Sequence, residues 1–165
     1  MSNKDKLFEF LRGVSFREFT LAVDFFISGC ILYFYVKSLY YGTAEQLESA
    51  TWLSGLLLEV IIYSIVLSIV SYLSLTFISD DELSKPLDVR EKQISLVGYK
   101  YSAIILQVGV VMAIFQYNMA AQSIEGVRDL MPHLPLHVMV VAFLLAELAN
   151  YGAQIVKGRS GEIYE

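Results

Sequence analysis

The chain is poor in what most soluble or secreted proteins are built on. Among its 165 residues there is one cysteine, Cys30, with three prolines, two histidines and one tryptophan. A lone cysteine closes no intrachain disulfide and supplies no multi-thiolate metal site, which excludes disulfide scaffolds and cysteine-rich zinc modules. Charge is scarce too: 18% of residues are Asp, Glu, Lys or Arg, against roughly a quarter in an ordinary soluble domain. No glycine-rich phosphate loop, H-E-x-x-H or G-x-S-x-G pattern occurs, and no basic patch interleaved with aromatics suggests nucleic acid. The expectation is a protein that is not an enzyme and has no cofactor.

What the chain has instead is apolar length. Hydrophobic residues make up 56% of it and the mean hydropathy is +0.55. Residues 60–79 and 101–124 contain no charge at all, and as a helix each is long enough to cross a hydrocarbon core about 30 Å thick. Residues 19–36 and 134–156 qualify with one acid each, Asp24 and Glu147. The second span starts near Trp52 and so includes Glu59. This predicts an all-α integral membrane protein of one domain, 1–165, whose four spans cover about 19–41, 52–79, 96–122 and 134–157.

Short connectors, such as GTAEQLESAT and EGVRDLMPHLP, make consecutive spans antiparallel neighbours, and an up-down-up-down bundle is the simplest packing. Ten of the twelve Lys and Arg fall on the side of the N-terminus, the second connector and the C-terminus, which predicts both termini in the cytoplasm. No cleavable signal is expected, because no small-x-small site follows the first apolar run. Leu7, Phe8, Leu11, Val14 and Phe19 recur at helical steps, which predicts a short amphipathic helix over 3–16 at the inner interface. Tyr33, Tyr35, Tyr40, Tyr41 and Trp52 are placed as an outer aromatic belt. Gly29, Ser64, Ser68, Ser71, Gly109, Ala113, Ala146, Ala149 and Ala153 are small enough to let helices approach, and Cys30 reads as one more packing residue.

Chemistry, if there is any, rests on ionisable groups inside the spans, which are costly in hydrocarbon and therefore raise a functional hypothesis. Asp24 lies roughly 10 Å past Arg17 and Glu147 roughly 15 Å before Lys157, at 1.5 Å per residue. Those depths allow a shared polar cluster, with Lys100 as a counter-charge. Glu59 sits in the outer half, where His137 is its natural partner, one turn after His133. Each group has two readings. Asp24 and Glu147 form a proton- or cation-binding pair, or they specify helix register as neutral or salt-bridged groups. Glu59, His133 and His137 are a weak candidate for metal, since two histidines and an acid on different helices make a poor pattern; Pro132 and Pro135 mark His133 first as part of a helix-initiating turn.

The stretch LDVREKQISLVGYKY, residues 87–101, carries a D-x-x-E pattern at Asp88 and Glu91 that caps a helix start. A helix beginning there runs on into the third span and aims Arg90 and Glu91 at the inner ends of neighbouring helices. Arg90 is expected to find an acidic partner at the inner end of the bundle, with Arg90–Glu147 or Glu91–Arg159 as candidate pairs, and a ligand- or partner-binding role for Asp88, Arg90, Glu91 and Arg159 is the alternative. This stretch and the later HLPLHVMVVAFLLAELANYGAQIVKGRSG resemble an uncharacterised family of small four-span bacterial inner-membrane proteins. That family has a D-E-R-E-type motif before the third span and an A-E-L-x-x-Y-x-x-Q-I-x-x-x-R-x-G ending. Asp88, Arg90 and Glu91 match the first motif, with Val89 in place of an acid; Ala146, Glu147, Leu148, Tyr151, Gln154, Ile155, Arg159 and Gly161 match the second. The resemblance implies a bacterial inner membrane and supplies no activity.

Three functions are compatible with these features. The first is a membrane-embedded interaction or regulatory protein, with a second copy or another membrane protein as partner besides the lipid bilayer. The second is a small ion channel or proton-coupled transporter using the intramembrane carboxylates. The third, a membrane redox or cofactor protein, is disfavoured by the lack of paired histidines at suitable depth.

Overall fold

The computed structural model describes residues 15–78, 86–122 and 132–160. The expected helix over 3–16 lies almost wholly outside these residues. The described chain is all helical: α1 (Phe16–Tyr41), α2 (Ala44–Glu48), α3 (Ala50–Ile78), α4 (Val89–Ala121) and α5 (Leu134–Ser160). Four of these, all but α2, are long and apolar enough to cross a membrane. The molecule is a membrane protein.

Several helices start where a side chain satisfies free N–H groups of the first turn. Ser15 caps α1, its hydroxyl accepting from the Glu18 N–H at 3.1 Å. Asp88 and Glu91 form the expected reciprocal box on α4: the Asp88 carboxylate accepts from the Glu91 N–H at 2.6 Å, and Glu91 accepts from the Asp88 N–H at 3.0 Å. Thr43 and Gln46 form a second box on α2, a short helix inside the connector between α1 and α3. At α5, Pro135 stands in the first turn, where its missing N–H costs nothing. His133 before it takes φ 55°, a left-handed backbone, and its carbonyl accepts from Leu136 and His137 at 2.9 and 3.3 Å.

Three seams hold the helices together: α4 on α5, α1 on α5, and α1 on α3. The first two are antiparallel, with Glu18 near the start of α1 paired with Arg159 near the end of α5, and Gly98 and Gly109 of α4 packed on Asn150 and Ala142 of α5 in reverse order. The packing order is therefore α3, α1, α5, α4. Although α3 and α4 are consecutive in the chain, they make no extensive seam among the described residues, because the close α4/α5 approach through the two glycines draws α4 to the far side of α5. The apolar core, Ile31, Tyr35, Leu56, Val60 and Leu144, joins α1, α3 and α5. Beyond it, Ile61, Ile65, Ile69 and Leu73 of α3 and Val108, Val111 and Phe115 of α4 are exposed, as suits surfaces solvated by lipid tails.

Candidate functional site

The arginine-bearing ends of α1, α4 and α5 enclose a polar cleft in two adjoining parts. The outer part, about 350 Å³, is lined by Ser15, Arg17 and Glu18 of α1, by Asp88, Arg90 and Glu91 at the start of α4, and by Gln154 and Gly158 of α5. The deeper part, about 290 Å³, is lined by Arg17, Thr20 and Asp24 of α1, Ser95 and Tyr99 of α4, and Glu147, Asn150, Tyr151 and Gln154 of α5. Helical spacing explains why these meet. Arg17, Thr20 and Asp24 step by three and four along α1, and Glu147, Asn150, Tyr151 and Gln154 do the same along α5.

The structure thus brings Asp24 and Glu147 into one cavity, as the depth argument expected. Arg17 interacts electrostatically with Asp24, and Tyr151 stands beside Glu147. Lys100 is not part of it. Its side chain is exposed on α4 and does not line the cleft; the preceding residue, Tyr99, lines it instead. At the floor Gln154 Nε2 donates to Asn150 Oδ1 at 3.0 Å, both residues being buried. This amide pair rests on Gly98, where a Cβ would fall 2.5 Å from Asn150 Oδ1 and 2.7 Å from the Asn150 carbonyl oxygen. One cation, Arg17, stands against two carboxylates, Asp24 and Glu147, amid amides and hydroxyls, an arrangement able to hold a proton or a small cation, or simply to fix the register of three helices.

The arginine-bearing ends are tied together, with partners different from those expected. Arg159 pairs with Glu18, not Glu91, and Arg90 Nη2 donates to the Gly158 carbonyl at 3.2 Å, not to Glu147. The physical reason is the free carbonyls at the end of α5: an arginine reaching from the start of the neighbouring helix satisfies one of them and sits favourably at the negative end of that helix. Glu91 is occupied by its cap. Arg90 thus ties the start of α4 to the end of α5 through a backbone acceptor, and the acidic partner expected for it is not found among the described residues.

At the opposite, aromatic end the expected Glu59–His137 pairing does not occur. His137 is buried, and its Nδ1 lies 2.8 Å from the Tyr35 hydroxyl, which belongs to the only described side chain with no exposure. Tyr35 is therefore a core residue, unlike Tyr33, Tyr40 and Tyr41, whose exposure fits a belt. His137 Nε2 is enclosed without a partner of hydrogen-bonding geometry, with the Pro132 backbone the polar group beside it. His133 is exposed, and among the described residues no three His, Cys, Asp or Glu side chains are grouped to hold a metal. Glu59 lies on the outward side of α3, exposed, with no ion pair or hydrogen bond among the described residues. The serine series divides similarly: the Ser64 hydroxyl donates to the Val60 carbonyl at 2.7 Å, the Ser71 hydroxyl is enclosed, and Ser68 is exposed.

Sequence reasoning missed Tyr35 as the partner of His137, Glu18 as the partner of Arg159, and the Asn150–Gln154 pair with its glycine. An available signal was periodicity: Glu147, Asn150, Tyr151 and Gln154 form one polar stripe in an otherwise apolar helix. Comparison of the chain with family models, curated proteins and solved structures returned no match.

Proposed function

We propose that this is a membrane-embedded interaction protein whose outward α1/α3 face is covered by protein. One observation supports the reading best. Glu59 lies about 10 Å along α3 from Trp52 at 1.5 Å per residue, on a face that no other part of the described chain covers. A carboxylate left among lipid tails costs a few kcal/mol or more, and ionisable groups at such depth face a protein partner or water. The resemblance to a bacterial inner-membrane family, with both termini cytoplasmic, belongs to the same proposal. A nitroxide at Ile62, one turn from Glu59, tests it. In native membranes its collisions with lipid-dissolved oxygen should be several-fold fewer than in nanodiscs holding a single copy; equal accessibility in both rejects the reading.

The second reading, proton or small-cation binding, is favoured by the shared cavity of Asp24, Glu147 and Tyr151. It requires pH- or cation-driven flux in liposomes that Asp24→Asn and Glu147→Gln abolish. Absence of flux, with the two substitutions lowering stability alone, would leave the cleft a register device.

A further inference from the structure

On the reading that the Glu59 face is covered by protein, we infer that its occupant is a second copy of this chain, docked so that Lys37 of each copy faces Glu59 of the other. The seam between α1 and α3 is marked by Phe34 and Tyr63, whose rings meet edge to face at 4.9 Å between centroids. Counting from that contact in opposite directions along the two helices sets Lys37 level with Val60, and so within about one turn of Glu59. At about 100° per residue, Lys37 is displaced about 60° from Phe34 and Glu59 about 40° from Tyr63, in the same rotational sense. In an antiparallel pair the same sense leads to the same side. The buried Ile31, Tyr35 and Val60 are rotated in the opposite sense and lie on the core side. Lys37 and Glu59 thus occupy one exterior face, at one depth, on neighbouring helices, and both side chains are exposed.

That pattern is complementary to itself. When a copy of this face is turned to meet it about a two-fold axis along the membrane normal, depth is preserved while α1 comes opposite α3 of the second copy. Lys37 then meets Glu59 of the other copy, twice, as isologous contacts require. Within one protomer the two form no ion pair; Lys37 Nζ instead lies 5.8 Å from the centroid of the Tyr33 ring. Gly55, one turn before Glu59 on the same face, has nothing within 4 Å of where its Cβ would be, a notch that lets a second helix approach closely. Tyr33, Ile62 and Val66 add exposed apolar surface to this face beside the charges, and Phe26 extends it along α1. Low dielectric strengthens a reciprocal charge pair there and makes a like-charge pair costly.

The test uses full-length chains in lipid vesicles, with association read by fluorescence transfer between labelled copies as protein density is varied. The wild type should associate. Lys37→Glu and Glu59→Lys chains, each alone, should associate at least about tenfold more weakly, because each places like charges opposite one another. Mixed together, the two variants should recover association to within about threefold, since every contact across the interface is again Lys to Glu although each chain carries like charges at the two positions. Helical circular dichroism of each variant matching wild type keeps misfolding out of the comparison. Association indifferent to the charges, or no recovery on mixing, overturns the inference, and so does a wild type that stays monomeric at every density. If the Ile62 nitroxide is nevertheless shielded in native membranes, the interaction reading stands and a different protein occupies the face.

Discussion

Substituting Gly98 by alanine should loosen the α4/α5 seam at the floor of the cleft. The added methyl would sit 2.7 Å from the Asn150 carbonyl oxygen, 2.5 Å from Asn150 Oδ1 and 2.8 Å from Gln154 Cγ. The amide side chains can swing away; the backbone carbonyl cannot. Restoring ordinary contact needs a displacement of about 0.7 Å between the helices, enough to forfeit much of the local dispersion energy. Overpacking of this kind costs about 1–3 kcal/mol. Disturbing the Gln154–Asn150 hydrogen bond adds about 1 kcal/mol. Against this, alanine is the better helix former by about 1 kcal/mol. Gly158→Ala gains at most that propensity, since nothing lies within 4 Å of where its Cβ would be. The two variants share one chemical change, so propensity largely cancels between them. Gly98→Ala should therefore be less stable than Gly158→Ala by about 2–4 kcal/mol. Unfolding of each by SDS titration in mixed micelles measures the difference. A gap below about 0.5 kcal/mol would refute the view that close backbone approach at Gly98 sets the seam.

Tyr35→Phe keeps the ring and removes the hydroxyl bonded to His137, leaving an enclosed imidazole nitrogen unpaired at a cost of about 1–3 kcal/mol; in the same titration, His137→Phe added to it should recover part of the loss, and full additivity of the two would contradict a coupled pair. Asp88→Ala removes one half of the cap on α4 and should cost about 1 kcal/mol, with amide exchange speeding up over the first turn of α4 and leaving the Gly109 region protected; unchanged exchange at Glu91 and Lys92 would count against the cap.

Pattern made most of the architecture legible. Four apolar runs, a D-x-x-E cap and two small-residue positions, Gly109 and Ala113, announce where helices start and where they pack, because each is a local consequence of hydrogen-bond satisfaction or steric size. Asp24 and Glu147 meet because depth along a helix is a count of residues. Rotational phase between helices is not such a count. It decides that His137 faces Tyr35 while Glu59 turns outward, and it depends on which helices share a seam. The packing order α3, α1, α5, α4 is set by Gly98 and Gly109 jointly with their α5 partners, a tertiary match that no single segment encodes. The Arg90 contact was legible in direction and not in partner, since helix-end carbonyls are acceptors that residue identity does not display.

The two ends of the molecule handle polarity in opposite ways, and the contrast carries functional weight. At the arginine end the polar side chains of the deeper cleft, from α1, α4 and α5, line one cavity within the same protomer. At the aromatic end the Tyr35 hydroxyl and His137 Nδ1 pair within the core, while Glu59 and Lys37, level with one another, are turned out of the protomer. A chain selected only to fold would gain by exchanging Glu59 for leucine on a lipid-facing surface, where the carboxylate costs a few kcal/mol and contributes no contact. Its presence is economical only if something outside the protomer meets it. Glu59→Leu should therefore raise the stability of an isolated copy in a detergent micelle while weakening association in vesicles. A variant that lost stability in both settings would show that Glu59 serves the fold of the single chain, and the outward face would then need no partner.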